Sequence, residues 1–182
     1  MVSRMRHRGL TVDVFKATGV SLRRDILAME DAGARNSMIF TDLGIITTTR
    51  AVGPALTRTM ITDISAKKPD VIVFELGDGI LGTYGVDSIL ECDDIRKALT
   101  GVVLSANDPV AAWGGVKLLR ERFGIEPCAV TGPATDNAVG VEIIRDQMKV
   151  PAYNALSDGA ALGDCVISAI GLDAKFPVAA AN

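Results

Sequence analysis

Lys16 and Glu75 stand out by type and by place. Lys16 closes the run Leu10-Thr-Val-Asp-Val-Phe-Lys16, and Glu75 closes Val71-Ile-Val-Phe-Glu75. A lysine at the end of an apolar strand can meet an anion such as phosphate or carboxylate as a point charge. A glutamate in the same position, followed by Leu-Gly-Asp-Gly79, can hold a metal ion or orient a water, with Asp78 as a second carboxylate close behind. Asp42 follows a third short run, Ser37-Met-Ile-Phe40. Two carboxylates facing a phosphate suit magnesium, which takes oxygen ligands and keeps several waters. Thr47-Thr-Thr-Arg50 offers hydroxyl and guanidinium contacts to the same ligand, or an ordinary turn.

These residues need a scaffold that brings strand ends together. Apolar, β-branched runs of strand length occur at 10–16, 37–40, 71–75, 101–105, 128–131 and, more weakly, 150–154. Helical patterns separate them. Residues 1–9 read as the end of a helix closed by Gly9. Ser21 is the expected cap of a helix reaching Ala32, and Gly53-Pro54 and Asp108-Pro109 open two more. Asp136 or Asn137 and Ser157-Asp158 are the expected caps of the last two. Short connections between alternating elements predict a three-layer α/β/α sandwich with a mostly parallel sheet, a Rossmann-like single domain over residues 1–173. Residues 174–182 read as a frayed tail. In such a sheet the strand-to-helix loops share one edge, where ligands bind. Lys16, Asp42, Glu75, Asp108, Thr131, Asn137 and Asn154 all fall in that set, although Asp108, Asp136 and Ser157 are also good helix caps.

Other chemistries are poorly supplied. The one histidine, His7, lies in the first segment, so Ser/His and Cys/His schemes lack a base. No G-x-S-x-G or G-x-x-x-x-G-K-[ST] occurs, no G-x-G-x-x-G opens a helix, and no lysine follows a glycine. The three cysteines, Cys92, Cys128 and Cys165, are far apart, which argues against a disulfide framework and suits a reducing cytoplasm. A net charge of -3 and 4% aromatic residues give neither the field nor the stacking platform for nucleic acid. With 48% hydrophobic residues the chain is apolar, yet no run approaches a membrane span, so a doubly covered sheet and a homodimer interface are expected to absorb the excess.

The order of these segments resembles P-loop NTPases of the dethiobiotin synthetase type, with their relatives in cobyric acid synthesis and the MinD/ParA class. Phe15-Lys-Ala-Thr-Gly19 is similar to that group's lysine-containing turn, and Ile72-Val-Phe-Glu-Leu-Gly-Asp-Gly79 to its acidic strand end. Gly101–Ser105, Ala129–Gly132 and Pro151–Asn154 follow in the same order. The resemblance spans about residues 10–165. It implies ATP and Mg2+ as cofactors, with ATP-dependent activation of a carboxylate or a related phosphoryl transfer as the chemistry. Lys16 would contact a small carboxylate or phosphate ligand, and Lys16 and Glu75 would be catalytic. Asp42 and Glu75 would help to hold magnesium. Nucleotide contacts would come from Thr18, Thr131, Asn137 and Asn154. The group's first strand and P-loop have no counterpart here, because Met1–Arg8 matches the last turns of the helix that follows them. The expectation is therefore a truncated protein, weakly active or inactive. A non-catalytic anion- or partner-binding module and a structural oligomerisation domain are the alternatives.

Overall fold

The computed structural model describes residues 1–173, so the expectation for 174–182 lies outside the described residues. The chain is mixed α/β. It falls into two compact units, Val2–Ala98 and Leu99 onward, each described below by itself.

The first unit holds helix α1 (Val2–His7), strand β1 (Val12–Thr18), α2 (Arg23–Asp31), β2 (Asn36–Ile39), α3 (Gly53–Ser65), β3 (Val71–Leu76), α4 (Val86–Leu90) and α5 (Asp93–Ala98). The strands form one parallel sheet in the order β2-β1-β3. The central strand is buried at every residue, as a strand covered on both faces must be. Phe15 stacks on Phe74 of β3 with ring centroids 4.6 Å apart and planes 3° from parallel. Phe15 and Ala17 join Ile26, Ile39, Phe40, Met60 and Ile64 in one apolar cluster. At roughly 1.5–3 kcal/mol for each fully buried large side chain, this cluster is the main source of the unit's stability.

The central strand carries three buried polar residues, Asp13, Lys16 and Thr18, of which Asp13 is held within the sheet. Asp13 is fully buried and accepts hydrogen bonds from Arg35 Nε (3.0 Å), Arg35 Nη2 (2.7 Å), and the Asn36 backbone (3.1 Å) and side chain (2.9 Å). These bonds tie the start of β2 to β1 and fix the register Asp13↔Asn36.

The second unit holds β4 (Val103–Ser105), α6 (Pro109–Phe123), β5 (Ala129–Thr131), α7 (Ala138–Ile143), which continues as a π turn (Ile144–Met148), and α8 (Gly159–Ala169). β4 and β5 pair in parallel, and Ala152 adds a single parallel bridge to Val130. Asp108 caps α6 by accepting from the Ala111 N–H at 2.8 Å, Pro109 fills the first position, and Gly124 ends the helix with φ +65°. Asn137, not Asp136, caps α7, accepting from the Gly140 N–H at 2.9 Å.

Three sequence expectations are corrected. Ser21 does not cap α2: the capping position is Leu22, with no side-chain cap bond, and the Ser21 hydroxyl donates to Thr41 instead. The expected strand at 150–154 is one bridge, because Pro151 lacks a donor and Asn154 folds its side chain onto the backbone that follows. The parallel strands form two sheets rather than a single run of six. Alternation of patterns locates strands along the chain but does not encode which strands become neighbours.

Burial alone would raise the Asp13 pKa, but its bonds to Arg35 and Asn36 outweigh this and hold it below the ordinary carboxylate value. A depressed carboxylate stabilises the fold fully above its unfolded pKa, and that stability is lost as pH falls through the lower folded value. The urea midpoint of the whole chain should therefore drop as pH falls below about 4. Asp13→Ala should lower stability by about 1–3 kcal/mol at neutral pH and flatten this acid limb.

Candidate functional site

The register of the first sheet brings Lys16 and Glu75 together. They are paired residues on adjacent parallel strands, so their side chains leave the same face of the sheet. The Lys16 ammonium is 3.4 Å from Glu75 Oε1. It donates a much shorter bond, 2.5 Å, to Asp25 Oδ2 in the first turn of α2. Lys16 is buried at 3% exposure, whereas the Glu75 side chain is 39% exposed. Asp25, at 23% side-chain exposure, is thus the closer and less exposed partner, and Glu75 the more distant and more exposed one.

Burial by itself would lower the Lys16 pKa. The hydrogen bond to Asp25 and the charges of Glu75 and Asp25 outweigh that cost and raise it above the ordinary lysine value. The stabilisation from a raised lysine is complete below its unfolded pKa and is lost only as pH rises through the folded value. Lys16 is therefore a fixed ammonium throughout the neutral range.

The loops behind this pair are closely fitted. β1 carries a bulge between Lys16 and Thr18, which turns the chain into Gly19 at φ +102°. The Gly19 N–H donates to Thr48 Oγ1 at 3.1 Å, so Thr48 serves as a buried strut. A Cβ on Gly77 would stand 3.1 Å from Glu75 Oε1, and one on Gly19 would stand 3.3 Å from Asp78 Oδ2. Small residues at both positions leave room for the two carboxylates. The Thr18 hydroxyl is buried and has no hydrogen-bond partner.

Asp42 is not brought to Glu75. It lies in a 3₁₀ turn (Phe40–Leu43) and folds back so that Oδ2 accepts from the Ile39 N–H at 2.9 Å. β2 and β3 flank β1 on opposite sides, so their ends are about two strand spacings, roughly 10 Å, apart. Among the described residues no group of three or more His, Cys, Asp or Glu could hold a metal ion. Arg50 is likewise engaged elsewhere, paired with Asp87 and Glu91.

The other expected residues lie in the second unit. Asn137 caps α7, and Asn154 Nδ2 donates to Asp136 Oδ1 at 2.8 Å while its Oδ1 accepts from Leu156 and Ser157. The Thr131 hydroxyl is buried without a partner. Asn137 lines a cleft of about 590 Å³ with Asp136, Glu142, Arg145, Asp146, Tyr153 and Asp158. Four carboxylates and one guanidinium make this cleft favour hydrogen-bond donors over anions.

Asp25 was not foreseen from sequence. Its only signal was an acidic residue in a first helical turn, which also serves the helix dipole. Compared with family models, curated proteins and solved structures, the chain matches none.

The difference between the two Lys16 contacts is measurable. A double-mutant cycle on urea unfolding, using Lys16→Met with Asp25→Asn, should give a coupling of about 1.5–3 kcal/mol, in the range for a charged hydrogen bond. Lys16→Met with Glu75→Gln should give a smaller coupling, because that contact is longer and Glu75 is the more exposed partner.

Proposed function

We propose that this chain is a nucleotide-linked, ligase-like protein of the dethiobiotin synthetase type, whose strand-end site takes the anionic end of a small carboxylate or phosphate ligand. The carrying observation is the pairing of Lys16 with Glu75. Sequence reasoning singled them out separately, by likeness to a lysine turn and to an acidic strand end. They are registered neighbours on parallel strands, 3.4 Å apart.

In this reading Asp25 keeps the ammonium in place, and the ligand's oxyanion takes the position at Lys16 that Glu75 holds. The exchange is favourable because the Glu75 contact is the longer and more exposed one, while the Lys16 charge is permanent. Glu75, once released, is free to orient a water or to hold Mg2+. Magnesium needs only one or two carboxylates when it keeps its waters. Glu75 supplies one, and Asp42 follows β2 on the far side of β1, away from Glu75. The metal would add positive charge beside the phosphate.

A second reading, an anion-binding module without turnover, is favoured by one sequence fact: no G-x-x-x-x-G-K-[ST] occurs in these residues. Positioning and electrostatics supply most of phosphoryl-transfer catalysis, and that loop is their usual source.

Calorimetry on the whole chain separates the outcomes. Millimolar Mg-ATP or inorganic phosphate should release or absorb heat with the wild-type chain, and Lys16→Met should weaken that binding at least tenfold. Glu75→Gln should bind phosphate as well as wild type or better, because the competing charge is gone. Circular dichroism confirms that each variant is folded. Binding accompanied by ATP hydrolysis supports the ligase-like reading, and binding alone the module. No heat with either ligand would remove both.

A further inference from the structure

We propose that Cys128 and Cys165 form a redox modification site: a hydroperoxide oxidises the pair to a disulfide that clamps α8 to the start of β5. This inference stands apart from the strand-end site and does not depend on the function proposed for it.

The fold brings together two cysteines that the sequence keeps apart. Cys128 immediately precedes β5, and Cys165 lies in the middle of α8. The Cys165 thiol donates to the Cys128 carbonyl, with Sγ 3.6 Å from the oxygen. That oxygen belongs to Cys128 itself, so the helix thiol stands against the backbone of the other cysteine. The Cys128 side chain is turned to the same side. A Cβ on Gly101 would stand 2.8 Å from Ile170 Cγ2, at the end of α8, and 3.6 Å from Cys128 Sγ. Glycine there leaves the thiol and the helix end facing one gap. Cys128 Sγ donates to the Val102 carbonyl at 3.2 Å. Both thiols are free and partly buried, and thiols are weak donors. A side-chain rotation that brings one sulfur onto the other therefore gives up little. Cys92 belongs to the first unit, where its thiol donates to the Ser88 carbonyl at 3.3 Å.

The surroundings of the two thiols set the order of steps. Burial pushes both up. At Cys165 a hydrogen bond from Tyr153 opposes the rise, whereas at Cys128 the charge of Cys165 adds to it. Cys165 is therefore the thiolate that meets the peroxide. Its sulfur attacks a peroxide oxygen, the O–O bond breaks, hydroxide leaves, and Cys165 becomes a sulfenic acid. The Cys128 thiolate then attacks that sulfur. The S–S bond forms as the S–O bond breaks, and a second hydroxide leaves. The two hydroxides take up the two thiol protons, so the pair loses two electrons and hydrogen peroxide becomes two waters. The Cys165 sulfur leaves Tyr153 in this change. Tyr153 lines the acidic cleft of the second unit, so oxidation alters a wall of that cleft.

Hydrogen peroxide in slight excess over the folded full chain tests this, with remaining thiols blocked and disulfides mapped by mass spectrometry. A Cys128–Cys165 bond within one chain should exceed any bond to Cys92 at least tenfold, and dithiothreitol should reverse it. Cys128 stands at nearly the same distance in sequence from Cys92 as from Cys165, so the chain unfolded in urea should lose that preference. Cys128→Ser should stop the reaction at a Cys165 sulfenic acid, which dimedone captures. Cys165→Ser should slow oxidation of Cys128 at least tenfold. The proposal is overturned if the folded wild-type chain keeps both thiols, or ends with Cys165 as a sulfinic acid and Cys128 free. It is equally overturned if the bond joins two chains, or if the unfolded chain shows the same preference.

Discussion

The first unit depends on a buried ammonium that is not allowed to stand alone. A lysine taken out of water costs several kcal/mol unless its charge is met. Asp25 meets it at 2.5 Å, and in doing so pins the first turn of α2 over the end of β1. Glu75 meets it from β3, which joins the central strand to its neighbour at the level of the loops. One positive group thus links three elements. The apolar cluster beneath holds the sheet and helices together without direction, and the ion triad supplies the direction.

The same arrangement leaves the site poised. Lys16, Asp25 and Glu75 sum to a single negative charge, so the triad does not attract an anion by net field. Any preference arises from exchange: Asp25 is the closer and less exposed carboxylate and Glu75 the more distant and more exposed one, so an incoming oxyanion competes only with Glu75. The unpartnered Thr18 hydroxyl ends β1, and the glycines at 19 and 77 lie just past the two strands that frame this exchange. Asp13 with Arg35 shows the contrasting case in the same sheet. There the carboxylate is enclosed by four hydrogen bonds and has nothing left to offer a ligand.

Much of the scaffold was legible in the sequence because local chemistry decided it. The runs at 10–16 and 71–75 locate β1 and β3, which span Val12–Thr18 and Val71–Leu76, and Asp108-Pro109 with Gly124 bounds α6 to the residue. The meeting of Lys16 and Glu75 was legible only as two strand ends on a shared edge. What was not legible depended on partners distant in sequence. Asp25 reads as a helix-start carboxylate, Asp42 reads as a ligand although its side chain turns back on Ile39, and Asp13 gives no hint of Arg35. Ser21 failed as a cap because its hydroxyl found Thr41. Nor does alternation reveal that the parallel strands divide between two sheets.

The central claim is that Lys16 holds Asp25 permanently and Glu75 exchangeably. It is tested most directly by carboxyl 13C chemical shifts of the labelled chain during titration with inorganic phosphate at neutral pH. The account predicts that the Glu75 carboxyl moves toward the position of a free, ionised glutamate as phosphate binds, while the Asp25 carboxyl stays where it was. Saturable phosphate binding that leaves Glu75 unmoved, or that shifts both carboxyls together, would contradict it.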